Sequence, residues 1–272
     1  MSARLDISRR VAWAPHPGSQ SLFLSCPLFE ALYEGTRGPG KTDGLLMAYA
    51  QHVGRGYGEA WRGIIFRREY KELADVVAKS KKWFRRIFPN ARWLASGSDY
   101  KWVWSTGEEL LFRAFKHPDD YWNYHGHEYP FIGWEELTSW PTLQFYQVMK
   151  SCCRSTVPGI PLMIRANTNP YGPGHNAVKA YFIDPAPAGV PFIPPQVELP
   201  EQFADIDLGD PLMAVRIHGH YLENKALMAA QPNYAAMIAQ SADNEARARA
   251  WLDADWDIVA GGMFDDVWGP GV

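Results

Sequence analysis

Gly35-Thr36-Arg37-Gly38-Pro39-Gly40-Lys41-Thr42 matches the pattern G-x-x-x-x-G-K-[ST] at every fixed position. Glycines let successive backbone N–H groups turn inward onto phosphate oxygens, and the start of a following helix adds partial positive charge. Lys41 supplies a full charge for β- and γ-phosphates, and the Thr42 hydroxyl is a ligand for Mg²⁺. The pattern carries this meaning only between a strand and a helix. Ala31-Leu32-Tyr33-Glu34 reads as the strand, and Leu45, Leu46, Ala48 and Tyr49 fall at helical spacing after the loop. All eight loop residues are therefore candidate contacts of a nucleoside triphosphate.

Outward from the loop, Gly63-Ile64-Ile65-Phe66 is a continuous apolar run of strand length. A helix is predicted over residues 70–88, with Leu73, Val77, Phe84 and Ile87 on one face. Trp102, Trp104, the Thr106-Gly107 turn and the apolar run over residues 110–115 predict a hairpin. Two further apolar strands are expected at 129–134 and 161–166, with a helix near 141–153 between them. This alternation predicts an α/β fold with a mainly parallel central sheet covered by helices on both faces. The expected division is an N-terminal arm (1–20), a core (21–200) and a C-terminal helical lid or linker (201–272). The stretch 184–200 is proline-rich, residues 233–254 read as mostly helical, and the tail beyond 261 is rich in glycine.

Composition narrows the class. The chain has 272 residues, 47% of them hydrophobic and 21% charged, as in an ordinary globular protein. A net charge of −3 excludes a generally basic nucleic-acid binder, so any such contact needs a local patch. Three cysteines, two of them adjacent (Cys152, Cys153), make no disulfide framework and suit a reducing compartment. No run approaches the ~18 apolar residues of a membrane span, and no apolar leader opens the chain. The expectation is a cytoplasmic protein.

A triphosphate site that turns over needs a second element to hold metal and activate water. Phe131-Ile132-Gly133-Trp134-Glu135-Glu136 is a buried strand ending in paired carboxylates, which places both at the carboxyl edge of the sheet. Glu135 would orient the Mg²⁺ shell and Glu136 would act as general base. Ala166-Asn167-Thr168-Asn169-Pro170 follows another apolar strand. Asn167, Thr168 and Asn169 would sense the γ-phosphate, or form a plain Asn-Pro turn. Arg37 has no role in the cradle itself; it reaches the γ-phosphate or is solvated. Lys79, Lys81, Lys82, Arg85 and Arg86 crowd one predicted helix, as a solvated face or as a contact with a nucleic-acid backbone. His125 and His127 lack the spacing and partners of a zinc site.

In this order the pieces resemble the ATPase half of a tailed-phage terminase large subunit, a P-loop ATPase that packages DNA. Pro17-Gly18-Ser19-Gln20 resembles the segment in which a glutamine, here Gln20, approaches the adenine. Residues 33–42 resemble the family's Walker A, including its arginine, and Ile132-Gly133-Trp134-Glu135-Glu136 its Walker B. Asn169-Pro170-Tyr171-Gly172-Pro173-Gly174-His175 is similar to the coupling motif, which favours a sensor role for Asn167, Thr168 and Asn169. The resemblance implies ATP and Mg²⁺, catalysis by Glu136, Lys41 and Arg37, and metal held by Thr42 and Glu135. It also implies double-stranded DNA, a portal protein and a small terminase subunit as partners, in a homo-oligomeric ring in the host cell cytoplasm. Two features depart from the family: Glu135 stands where Asp is usual, and Tyr124-His125 where some members carry an arginine. The family's nuclease is not expected from this chain, since Asp265 and Asp266 make no two-metal cluster. The competing readings are a P-loop helicase or translocase, and a nucleotide-dependent assembly module that does not hydrolyse.

Overall fold

The computed structural model describes residues 11–96, 99–195, 201–203 and 209–258, and the account below concerns those residues. Eight strands form one sheet: β1 (Glu30–Gly35), β2 (Arg62–Arg67), β3 (Arg92–Leu94), β4 (Lys101–Val103), β5 (Glu109–Ala114), β6 (Phe131–Glu135), β7 (Met163–Asn167) and β8 (Ala214–Gly219). Their spatial order is β3-β4-β5-β2-β6-β7-β1-β8. From β5 to β8 all neighbours run parallel, while β3 and β4 fold back antiparallel at one edge. The helices are α1 (Ser19–Ser25), α2 (Lys41–Ala50), α3 (Leu73–Ile87), α4 (Gln144–Met149), α5 (His175–Val178), α6 (Lys225–Ala230), α7 (Tyr234–Ser241) and α8 (Glu245–Leu252).

Successive strand residues point to opposite faces, so the central strands feed two cores. Ala31, Tyr33, Ile65 and Phe131 pack with Leu45 and Leu46 of α2 and Val77 and Phe84 of α3. Leu32, Ile64, Phe66, Ile132 and Trp134 pack instead with Phe145, Tyr146 and Met149 of α4. Every residue of β1 is buried, as a parallel strand covered on both faces requires. On α3 the buried line runs Leu73, Val76, Val77, Ser80, Phe84, with Ile87 only half-buried. Ser80 enters this apolar line because its hydroxyl accepts the indole N–H of the buried Trp102 at 2.8 Å.

Three expectations change. Residues beyond 200 read as helical, yet β8 pairs with β1 over six positions, from Glu30↔Ala214 to Gly35↔Gly219. The sheet thus extends past the expected boundary at 200. The helix near 141–153 is shorter, α4 giving way to a 3-10 turn at Lys150–Cys152. The helix over 233–254 is two helices, α7 and α8, because Asn244 caps a fresh start by accepting from the Arg247 N–H at 2.8 Å. Residues 1–10 of the expected arm, and the glycine-rich tail with Asp265 and Asp266, lie outside the described residues. Among the described residues no helix is long and apolar enough to cross a membrane.

Candidate nucleotide site

Strand order decides what meets. β6, β7 and β1 are neighbours, so the loops leaving their carboxyl ends converge on one edge. Gly35 closes β1 at φ 136°, and a Cβ there would lie 2.0 Å from the Gly219 carbonyl oxygen. Only glycine lets β8 sit against the start of the loop. Gly40, at φ 90°, turns the chain into α2, whose first residue is Lys41.

Lys41 is buried, and its ammonium donates to the Thr36 carbonyl at 2.5 Å and to Asn169 Oδ1 at 2.6 Å. Burial pulls its pKa down to about 8, against the attraction of Glu136, Glu34 and Glu135. Thr42 donates its hydroxyl to Glu135 Oε1 at 2.7 Å. The other Glu135 oxygen accepts the Asn167 amide at 2.5 Å. Burial, and then repulsion from Glu136, push the Glu135 carboxyl above its ordinary range.

Glu136 takes a left-handed backbone, φ 58° and ψ 64°, which costs a residue with a Cβ about 1–2 kcal/mol. Asn167 helps to hold it there: its Oδ1 accepts the Glu136 backbone N–H at 3.0 Å. One side-chain amide thus grips both Glu135 and Glu136, and the Glu136 side chain is left lining the cleft. Thr168 hydrogen-bonds Thr138 at 2.7 Å, tying the loop after β7 to the loop after β6. All three expected sensor residues therefore engage either Lys41 or the acidic loop.

The cleft has a volume of about 710 Å³ and is lined by Lys41, Thr42, Arg37, Glu136, Asn169 and Arg67, among others. Its far wall comes from the C-terminal helices. Asn224 donates to the Gly38 carbonyl at 2.8 Å. The Arg37 guanidinium lies 3.4 Å from the centre of the Trp251 ring, and its backbone N–H donates to the Trp251 carbonyl at 3.0 Å. Burial lowers the Arg37 pKa while Glu136 opposes the shift. Arg247 of α8 stacks on Tyr171 at 4.6 Å. Sequence reasoning found none of Arg67, Asn224, Tyr234, Arg247 or Trp251 as cleft residues. No local pattern marks them, because four of them, Asn224, Tyr234, Arg247 and Trp251, come from a wall far along the chain from the loop.

Other candidates fall elsewhere. Gln20 is buried behind the loop: it accepts the His16 N–H at 2.7 Å and donates to the Gly40 carbonyl at 2.9 Å. Both ends of its amide are thus occupied within the protein, where it braces the glycine turn. The five cations of α3 do not share one face. Lys79 lines the cleft and pairs with Asp75 at 3.5 Å, Lys81 lies over Trp93, Lys82 and Arg86 flank Trp83, and Arg85 is exposed. His125 and His127 hydrogen-bond Tyr121 and Tyr129 respectively, at 3.0 Å each. Cys152 and Cys153 are buried in the core, which pushes the Cys153 thiol up to about 12.

The donor set fits Mg²⁺. That ion takes one or two hard protein oxygens and completes its shell with phosphates and water. The Thr42 hydroxyl and the Glu135 carboxylate, 2.7 Å apart, are such a pair. A cation there would offset the repulsion that Glu136 exerts on Glu135.

Neither a family model nor a curated protein matches this sequence. Solved structures do match. The large terminase of the thermophilic bacteriophage D6E in complex with ADP aligns with a TM-score of 0.60 at 13% identity, over 89% of this chain and 54% of that one. Its complex with ATP-γ-S gives 0.56 at 14% identity, covering 89% and 53%. The Thermus phage P74-26 large terminase ATPase domain gives 0.55 at 11% identity, covering 90% and 94%. The chain has the fold of a phage large-terminase ATPase domain. It spans about half the length of the D6E terminase and is matched in extent by the isolated P74-26 domain. The order of strands is what brings the glycine loop, the paired carboxylates and the Asn167-Thr168-Asn169 loop to one edge.

Proposed function

We propose that this chain is the ATPase motor domain of a phage large terminase, hydrolysing ATP to drive double-stranded DNA into a procapsid. One observation carries the reading: the Asn167 amide holds Glu135 and Glu136 together beside Thr42 and Lys41, in a cleft large enough for a nucleotide. Triphosphate hydrolysis needs a phosphate cradle, a metal-orienting carboxylate and a water-orienting carboxylate in one place.

The backbone N–H groups of Gly38, Gly40, Lys41 and Thr42 receive the phosphates at the start of α2. Lys41 exchanges its internal acceptors, the Thr36 carbonyl and Asn169, for phosphoryl oxygens. Thr42 and Glu135 would hold Mg²⁺, which would supply charge neutralisation to the phosphates. Glu136, turned into the cleft by its left-handed backbone, orients the attacking water and takes its proton. Arg37 adds charge on the γ-side as the transition state develops. Asn169 carries the change onward: when Lys41 leaves it for phosphate, the loop after β7 loses a bond that Thr168 ties to Thr138 and the acidic loop.

On this reading the partners are double-stranded DNA, a portal protein, a small terminase subunit and further copies of the chain in a ring, within the host cell cytoplasm. Lys81, Lys82, Arg85 and Arg86 are the candidate DNA contacts, while Lys79 faces the nucleotide. The test is Glu136→Gln with ATP and Mg²⁺. Nucleotide affinity should stay within about twofold, and kcat should fall by a factor on the order of 10²–10³. Turnover equal to that of the wild type would remove Glu136 and the proposed chemistry with it.

A further inference from the structure

Arg67 ends β2, the strand that lies next to β6 on the side away from the glycine loop. Its backbone register follows Phe66↔Trp134, so its side chain emerges beside the Glu135-Glu136 turn. The guanidinium is largely enclosed, with 16% of the side chain exposed, and it lines the nucleotide cleft together with Lys41, Thr42 and Glu136.

What distinguishes this arginine is how weakly it is held. A guanidinium has five N–H donors in a rigid fork. Here one Nη1–H reaches the Glu135 carbonyl at 3.4 Å, and Nε lies 3.7 Å from a Glu72 oxygen. That Glu72 oxygen already accepts the Glu69 backbone N–H at 3.1 Å. Among the described residues, Arg67 Nε has no hydrogen-bond partner. Its neighbour Arg68 also has an unpartnered Nε, but it donates to the Ser139 carbonyl at 3.0 Å and does not line the cleft. Desolvating an arginine without strong partners is costly, and the cost is recovered when an anion arrives with oxygens that fit the fork. The anion that enters this cleft on the reading above is a nucleoside triphosphate. The part of it facing the β6 edge is its γ-phosphoryl group, since Lys41, Thr42 and the acidic turn converge there.

We propose that Arg67 binds the γ-phosphoryl group directly and stabilises its charge in the transition state. It would thereby be an arginine supplied by the same chain, in the cleft that Arg37 also lines. The inference rests on the proposed ATPase reading.

The test compares wild type with Arg67→Lys, Arg67→Gln and Arg67→Ala, measuring affinity for ADP and ATP-γ-S and steady-state turnover of ATP. A γ-phosphoryl contact predicts ADP affinity within about twofold of wild type. ATP-γ-S should bind roughly tenfold more weakly, and kcat should fall about 10²-fold in the Gln and Ala variants. Arg67→Lys keeps the charge without the fork and should recover part of kcat. Thermal melting of each variant reports folding, and if the Ala variant does not fold, the Lys and Gln variants carry the test. Equal weakening of ADP and ATP-γ-S, or unchanged kcat in Arg67→Gln, would overturn the proposal. If wild type turns over ATP and Glu136→Gln abolishes it while the Arg67 variants behave as wild type, this inference alone fails. If wild type binds and hydrolyses no ATP, the functional reading fails and takes Arg67 with it.

Discussion

Lys41 is a charge kept ready at a cost. Enclosed among backbone carbonyls and Asn169, its pKa is pulled down to about 8, well below that of an ordinary lysine. Phosphate oxygens favour its charged form, so binding raises that pKa and must take up a proton wherever the free protein has lost it. Nucleotide affinity should therefore be flat below pH 8. Above it, affinity should fall roughly tenfold per pH unit until the pKa of the complex is reached. Calorimetry in buffers of different ionisation enthalpy reads the proton uptake near pH 8.5, and its absence would contradict the enclosed position of Lys41. Asn167 is the other residue with a large lever. Asn167→Ala removes the acceptor of the Glu136 N–H and the donor to Glu135. The left-handed turn then loses its brace, and kcat should fall about 10–100-fold with little change in KM, as for residues that orient a reacting group. Initial-rate kinetics separates the two constants. These residues were legible in the sequence because each lies in a short contiguous pattern whose strand or helix context can be checked locally. Gln20 was legible only in its position near the loop: its internal partners, the Gly40 carbonyl and the His16 N–H, depend on how α1 packs.

At the scale of elements, β8 is the instructive case. Ala214-Val215-Arg216-Ile217-His218-Gly219 places a cation and a histidine at alternate positions, which reads as polar next to β1. It closes one edge of the sheet, and it pairs with β1 because Glu34, fully buried, neutralises it. Glu34 Oε1 is 3.1 Å from both Arg216 and His218, and Oε2 accepts the Trp256 indole N–H at 3.0 Å. The partner that makes β8 a strand lies about 180 residues earlier, so no local window contains the signal. Glu34→Gln keeps the shape and an acceptor for Trp256 but strips the charge from two cations. Removing one side of a buried pair costs about 3–5 kcal/mol, which urea denaturation would read as a lowered midpoint. The pH dependence has a definite sign. The hydrogen bond to Glu34 raises the His218 pKa. Its contribution is therefore fully present below the unfolded value near 6.5, and is lost as pH rises through the folded value. Wild type should lose stability across that window relative to Glu34→Gln. Parallel curves for the two proteins would show that His218 is not charged by Glu34.

For the whole molecule, the sheet supplies one wall of the cleft and the C-terminal helices the other, joined across the loop by Asn224–Gly38 and Trp251–Arg37. Such a joint should be strengthened by a ligand that touches both walls. A ligand bound only to the folded state at a hundred times its Kd adds about 2.7 kcal/mol. In a chain of this size that corresponds to a rise in Tm of roughly 5–10 °C. Trp251→Ala removes the ring beneath Arg37 while leaving Lys41, Thr42 and Glu135 in place. A side wall without that ring holds Arg37 in no fixed position, so the variant should bind ATP about tenfold more weakly at neutral pH. At equal nucleotide concentration this takes about 1.4 kcal/mol from the ligand stabilisation, a deficit of roughly 3–5 °C in the nucleotide-induced shift. Melting curves recorded with and without ATP and Mg²⁺ separate this from any general loss of packing, because general loss lowers both curves alike. A nucleotide-induced shift in Trp251→Ala equal to that of wild type would mean that the C-terminal helices cover the cleft without contributing to binding, and that the glycine loop and acidic turn hold the nucleotide by themselves.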